Sequence, residues 1–239
     1  MSTTVIIIIA VVIFIILLSA ALSVASFSYD KFMQEYNNLI EIKIAQDITI
    51  LDFVHTLNYN TFNGKIALKT VERDINNYYV PKAKVIALSK RTLTSNSLAS
   101  FAIVAHEMGH ALQDQQGSKL KLLNFLRRIG YFFGFLFLPS ILAGIILLFF
   151  GERFRFISII LFACAGLILL LAIIIKAQTI SIEKDASQKG CEFLKTIMAE
   201  NEVAKCKKLL NAARLTYWGD LFRLLLSWTM LTRKTNMFR

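Results

Sequence analysis

Charge is scarce in this chain. Asp, Glu, Lys and Arg make up 18% of its 239 residues, against roughly 25% in ordinary soluble domains. With hydrophobic residues at 56% and a mean hydropathy of +0.56, this excludes a typical water-soluble domain and predicts an integral membrane protein. Acid is the scarcer sign, with 16 Asp and Glu against 27 Lys and Arg, for a formal net charge of +11. No basic helix interleaved with aromatics accompanies the excess, and no nucleic-acid motif is present, so no nucleic-acid partner is expected. Positive charge flanking apolar runs is the pattern of membrane topology. Cysteine is nearly absent. Cys164 lies within an apolar run, and Cys191 and Cys206 are not spaced as a metal knuckle. No disulfide framework follows, which is consistent with a reducing compartment. Histidine is equally rare, with 3 in the chain, yet two of them stand four residues apart.

Those two belong to His106-Glu107-Met108-Gly109-His110, inside a run with helical character over 98–114. Residues i and i+4 of a helix share a face. One tetrahedral Zn²⁺ can therefore be held by both imidazoles, while Glu107 takes a proton from a metal-activated water. The plain alternative is a core helix that happens to carry two polar residues, with Glu107 as a surface charge. Against it, Phe101-Ala102-Ile103-Val104-Ala105 buries the front of the helix. Imidazoles and a carboxylate beside such a run are costly without partners. Gly109 costs roughly 1 kcal/mol against Ala in a helix, so something is expected to approach closely there. Met108 reads as core packing.

Along the chain, Val5–Val24 is almost unbroken aliphatic sequence, long enough to cross a bilayer. Ser23-Val24-Ala25 fits the small-residue pattern of a cleavable signal. However, no Lys or Arg precedes the run, and it exceeds a usual signal core. An uncleaved anchor is expected over 1–28. Residues 29–128 follow as a first soluble region. Ile40, Ile44, Ile48, Leu51 and Val54 have helical spacing and predict an amphipathic helix over 38–57. His55 near its end reads as a structural residue. Ile66–Val71 and Lys84–Leu88 predict two short strands, joined through a turn at Asn76–Pro81. An edge strand beside a metal site can bind an extended peptide by strand addition. Ser95 or Ser97 can cap the helix that carries the histidines.

Two further spans, 129–150 and 156–175, predict a transmembrane hairpin within 129–176, with Pro139 kinking the first. The connection 151–155 holds two Arg, and the tail before Val5 holds no Lys or Arg. The other basic residues lie in 26–128 and after 175. By the positive-inside bias, those regions face the cytoplasm and the N-terminus lies outside. The hairpin returns the chain to the side it left, so the helix of 177–215 can meet His106 and His110. Catalytic zinc sites use three protein ligands plus water, and His₂Glu is an established set. Glu183 is the choice for the third ligand and Asp185 its competitor. Ser187, one turn after Glu183, can orient a ligand from behind. A solvated charged helix start is the plain reading of the same stretch. In 216–239, the apolar segment Tyr217–Leu231 contains Asp220 and Arg223. It is too short for a span, and reads as a helix in the interface or packed on the catalytic region.

Four stretches together resemble a known family: Asn77-Tyr78-Tyr79 leading to Val85–Ser89; Ser97–Gln115 with Ala105–Ala111 at its centre; Ile182-Glu183-Lys184-Asp185-Ala186-Ser187; and Leu210–Tyr217. In order and spacing they are similar to small bacterial membrane proteins, the YugP-like neutral zinc metallopeptidases. The resemblance implies a mainly α integral membrane protein with a zincin-like cytoplasmic catalytic region and a small β-sheet. It implies a gluzincin-type centre with one Zn²⁺ held by His106, His110 and Glu183, and with Glu107 as general base. It also suggests a polypeptide substrate at the lipid bilayer and a role in membrane-protein turnover. Tyr217 and Arg214, from the last matching stretch, are candidates to stabilise the oxyanion. Related membrane-embedded peptidases carry Asp four residues after the ligand Glu, where Ser187 stands here. Lys184 also departs from the apolar or aromatic residue expected after that Glu. Both departures bear on ligand geometry. Two rivals stand beside the enzyme reading. One is a non-catalytic zinc scaffold, closed by a fourth ligand such as Asp185 or His55. The other is a metal-free membrane-interaction protein.

Overall fold

The computed structural model describes residues 3–117 and 119–226. These described residues are mainly helical, with one small sheet. Helix α1 (Thr3–Ile40) carries the aliphatic run and continues without a break past residue 28. Its later part buries Ala25, Ser28, Phe32, Tyr36 and Leu39, a stripe at spacings of three and four. With this face α1 packs against α8 (Glu200–Leu226).

The helix expected over 38–57 does not form as one piece. α1 ends at Ile40, and α2 (Ile50–Phe62) starts afresh. The restart is chemical. Thr49 Oγ1 accepts from Asp52 N at 3.1 Å, and the Asp52 carboxylate accepts from Thr49 N at 3.2 Å. This reciprocal capping box begins a helix there. The shifted start turns Leu51 to solvent and buries Ile50 and Phe53 instead. His55 is exposed on α2.

The sheet has three strands, β1 (Ala67–Val71), β2 (Tyr78–Val80) and β3 (Val85–Ser89), in the order β1-β3-β2. β1 runs parallel to β3 with Ala67 opposite Val85. β2 runs antiparallel, with Tyr79 opposite Ile86. The segment expected as a plain turn at 76–81 thus supplies the third strand, at an edge. After the short α3 (Lys90–Ser95), α4 (Leu98–Gln116) begins at Ser97, whose Oγ accepts from Ser100 N at 3.2 Å. Of the two serines offered as caps, Ser97 does the work. Every residue of α4 from Leu98 to Gly109 is buried, so α4 is the central helix of the core. It packs against α7 (Arg155–Leu194) and α8.

Between them lie α5 (Lys119–Gly134) and α6 (Phe137–Phe149). The first expected span of the hairpin is therefore interrupted at Phe135–Leu136. Pro139, in the first turn of α6, has no N–H, and its ring excludes a helical carbonyl four residues back, at Phe135. A turn at Glu152–Phe154 leads into α7. Among the described residues, two stretches, Phe125–Phe149 and Glu152–Leu194, are long and apolar enough to cross a membrane by length and composition. Phe156, Ile160, Leu167, Leu170 and Ile174 of α7 are exposed. Among the described residues, no large apolar side chain of α7 beyond Ile174 is exposed. α8 extends continuously from Glu200 through Tyr217 to Leu226. Residues 227–231 of the expected interfacial segment, with Arg233, Lys234 and Arg239, lie outside the described residues.

Candidate metal centre

The one-turn spacing on α4 brings the rings of His106 and His110 edge to face, 4.7 Å apart between centroids and 81° between planes. α7 brings Glu183 to them. Glu183 Oε2 lies 3.2 Å from Nε2 of His106 and 3.2 Å from Nε2 of His110. One ligand atom from each residue falls within 4.8 Å of the others. A tetrahedral ion with bonds of about 2.0–2.1 Å holds its donors about 3.3 Å apart, so this donor set fits a small divalent cation such as zinc.

Glycine is what allows the approach. A Cβ on Gly109 would sit 2.3 Å from the Ala186 carbonyl oxygen, and one on Gly190 would sit 2.9 Å from the Ala105 backbone. The close neighbour expected at Gly109 is the backbone of α7 itself. Any side chain at either position would wedge α4 from α7 and move Glu183 away from the imidazoles.

Behind the rings, each Nδ1 has a partner. Ser187 Oγ lies 3.2 Å from His106 Nδ1, and Gln113 Oε1 lies 2.9 Å from His110 Nδ1. Both Nε2 atoms are thereby turned to Glu183. Asp185, the rival for third ligand, is engaged elsewhere, accepting from Gln113 Nε2 at 2.7 Å and from Lys189 Nζ at 2.5 Å. Gln113 was not foreseen as a site residue. The signal was there: it stands three residues after His110, on the same helical face.

Glu107 is 2% exposed, and its Oε1 has no hydrogen-bond partner among the described residues. Its carboxylate takes a hydrogen bond from the backbone N–H of Tyr79 on β2. The edge strand therefore lies directly beside the site. A buried carboxylate oxygen without a partner is costly, and a water between it and the cluster would satisfy it.

The electrostatics of the protein groups alone reflect this crowding. Burial pushes the Glu107 carboxyl up to about 8, with Glu183 adding to the rise while His110 and the Tyr79 N–H oppose it. At His110 burial disfavours the charged ring, but Glu183 and Glu107 beside it win and raise it to about 9. Burial dominates at His106 and lowers it. Burial also works against charge at Glu183, yet His110 and hydrogen bonds from both imidazoles hold it well below the usual carboxylate range.

From α8, Tyr217 hydrogen-bonds Glu183, and Lys176 sits over its ring at 5.9 Å. Burial, then the charges of Glu183 and Glu107, raise the Tyr217 phenol well above its ordinary value. Tyr217 and Arg214 line a narrow cleft together with His106, Glu183 and Ser187. Phe32 of α1, with Leu209 and Leu210 of α8, gives it an apolar wall. Its interior holds about 10 Å³, room for roughly one water. Of the residues singled out from the sequence for chemistry, His106, His110, Glu183, Glu107, Ser187, Arg214 and Tyr217 come together here, whereas Asp185 is turned to Gln113 and Lys189 and His55 is exposed on α2.

Two imidazoles and a carboxylate from two packed helices form a group that could hold a divalent metal ion, beside a buried glutamate with one oxygen, Oε1, lacking a hydrogen-bond partner among the described residues. The chain belongs to the family described as "Putative neutral zinc metallopeptidase", whose model matches residues 4–234. It is similar to the "Putative membrane protease YugP" of Bacillus subtilis (strain 168), 26% identical over 162 residues. That match covers 64% of this chain and 65% of the relative, so the chain spans just under two thirds of the relative's length. No solved structure matches.

Proposed function

We propose that this chain is a membrane-bound zinc endopeptidase, with His106, His110 and Glu183 as metal ligands and Glu107 as general base. The observation that carries the reading is the buried, unpartnered Oε1 of Glu107 beside the His-His-Glu cluster. Burial that raises the Glu107 carboxyl makes its ionised form a stronger base than a solvated carboxylate, and a cation held beside it by the cluster would favour that ionised form. A bound zinc ion would supply Lewis acidity and make water acidic enough to lose a proton near pH 7. Glu107 receives that proton and returns it to the leaving amine. Tyr217, whose phenol stays protonated, donates to the developing oxyanion, with Arg214 on the same wall. β2 lies at the sheet edge against the site, so an extended peptide can be held by strand addition. Asp185 is tied to Gln113 and Lys189, and His55 is exposed. Neither closes the cluster with a fourth ligand, which favours a catalytic centre over a structural one.

On this reading the N-terminal helix and the hairpin of 129–176 span the bilayer. By the positive-inside bias the centre faces the cytoplasm and the N-terminus lies outside. Membrane-protein turnover is the cellular role that fits such a placement. The test is Glu107→Gln in the full chain in detergent. The variant is expected to keep one zinc per chain and lose peptide cleavage. Cleavage at the wild-type rate would overturn the mechanism.

A further inference from the structure

We infer that Gln113 is the positioning residue that holds His110 and Glu183 in register, an assignment that rests on the metal-site reading above. Gln113 is 9% exposed. Its amide makes contacts in three directions. Oε1 faces His110 Nδ1 at 2.9 Å, and Nε2 donates to the carbonyl of Ile182 at 2.8 Å and to Asp185 Oδ2 at 2.7 Å. Both partners of the nitrogen are acceptors only, which fixes the amide orientation. The oxygen on the other side can only accept, so His110 carries its proton on Nδ1. The tautomer that leaves Nε2 available is therefore set by Gln113. The two acceptors flank Glu183 in sequence, one just before it and one two residues after. One side chain thus ties a proposed ligand on α4 to both sides of a proposed ligand on α7. Lys189 pins Asp185 from the next turn.

The chemistry requires an amide of this length. Glu at 113 could accept from His110, but it would lose both donations and set a carboxylate against Asp185. Leu keeps the volume and removes all three bonds. Ser187 also bridges α7 to α4, but it lies behind His106 and leaves the position behind His110 to Gln113.

The test uses the full chain purified in detergent and loaded with Co²⁺, whose visible absorption reports ligand geometry. Gln113→Leu is expected to weaken Co²⁺ affinity about 10- to 100-fold, the usual range for loss of a partner behind a ligand, and to change the absorption spectrum. Thermal unfolding of the chelated protein should move only a few degrees. Asp185→Asn keeps an acceptor for the amide and should stay near wild type, whereas Asp185→Leu should fall part of the way towards Gln113→Leu. Because Gln113 acts through Asp185, the double variant Gln113→Leu/Asp185→Leu should lose less than the sum of the singles. A folded Gln113→Leu with wild-type affinity and spectrum would overturn the assignment while leaving the metal site standing. Additive losses would overturn the link through Asp185. A wild-type chain that takes up neither Co²⁺ nor Zn²⁺ would remove the metal reading, and this inference with it.

Discussion

Replacing Gly109 by Ala separates the stability of this protein from its chemistry. The added methyl would stand 2.3 Å from the Ala186 carbonyl oxygen, where a carbon and an oxygen normally approach no closer than about 3.3 Å. The obstacle is backbone, so relief requires α4 and α7 to part by about 1 Å. Glu183 lies on the same face of α7, less than one turn from Ala186, and moves with it. Overpacking of this kind costs about 1–3 kcal/mol, but Ala is better than Gly in a helix by about 1 kcal/mol. The net loss of stability is then about 0–2 kcal/mol. Ligand geometry has no such compensation, since a misplacement of about 1 Å can cost roughly 100-fold. Gly109→Ala should therefore unfold within a few degrees of wild type. It should also bind zinc at least tenfold more weakly in chelator competition, and cleave a quenched-fluorescent peptide about 100-fold more slowly. A variant with wild-type zinc affinity and cleavage would refute the argument that glycine at this crossing sets the distance from Glu183 to the imidazoles.

Other outcomes follow from the same geometry. Glu183→Ala should lose bound zinc, while Asp185→Ala should retain it more weakly, as metal analysis at equal folded concentration will show. Tyr217→Phe removes the donor on the cleft wall but no ligand, so zinc content should hold while kcat falls about 10- to 1,000-fold. Chelated protein should lose stability as pH rises from about 6.5 to 9. His110 is raised to about 9, so its contribution is complete below its unfolded value near 6.5 and lost as pH climbs through 9. Glu107, raised to about 8, works in the same direction, because its ionisation while buried is unfavourable. Melting temperatures across that range, with chelator present, check the sign.

The parts of the site that were legible in the sequence are those written into local spacing. His106 and His110 share a face because a helix repeats every 3.6 residues, and Gly109 between them flagged the close crossing. Glu183, 73 residues beyond His110, required a different argument, that a hairpin of two apolar runs brings the chain back. Gln113 escaped because its one signal, the spacing of three residues from His110, names a helical face and not a partner on it. Only the contact with Ile182 and Asp185 gives it meaning. In the fold, β2 was missed because three residues are too few for alternation to register. The break before α2 was masked by isoleucines that keep helical spacing across it, although Thr49 and Asp52 carried the start signal. The junction at Phe135–Leu136 follows from Pro139, once the ring is placed against the carbonyl four residues back.

α7 passes from its exposed apolar segment to Glu183 without a break, and that continuity acts as a fixed gauge. Eight residues separate Ile175 from Glu183, about 12 Å of helix at 1.5 Å per residue. On α1, Phe32 at the cleft stands the same eight residues beyond Val24. On the proposed topology, two independent rods give one height for the reactive centre above the hydrocarbon edge. A strand rises about 3.3 Å per residue, so a substrate anchored in the same bilayer must offer roughly four extended residues before its bond draws level with Glu107. Bonds nearer the lipid lie beneath the gauge, and a helix that stays folded to the surface presents nothing the centre can hold.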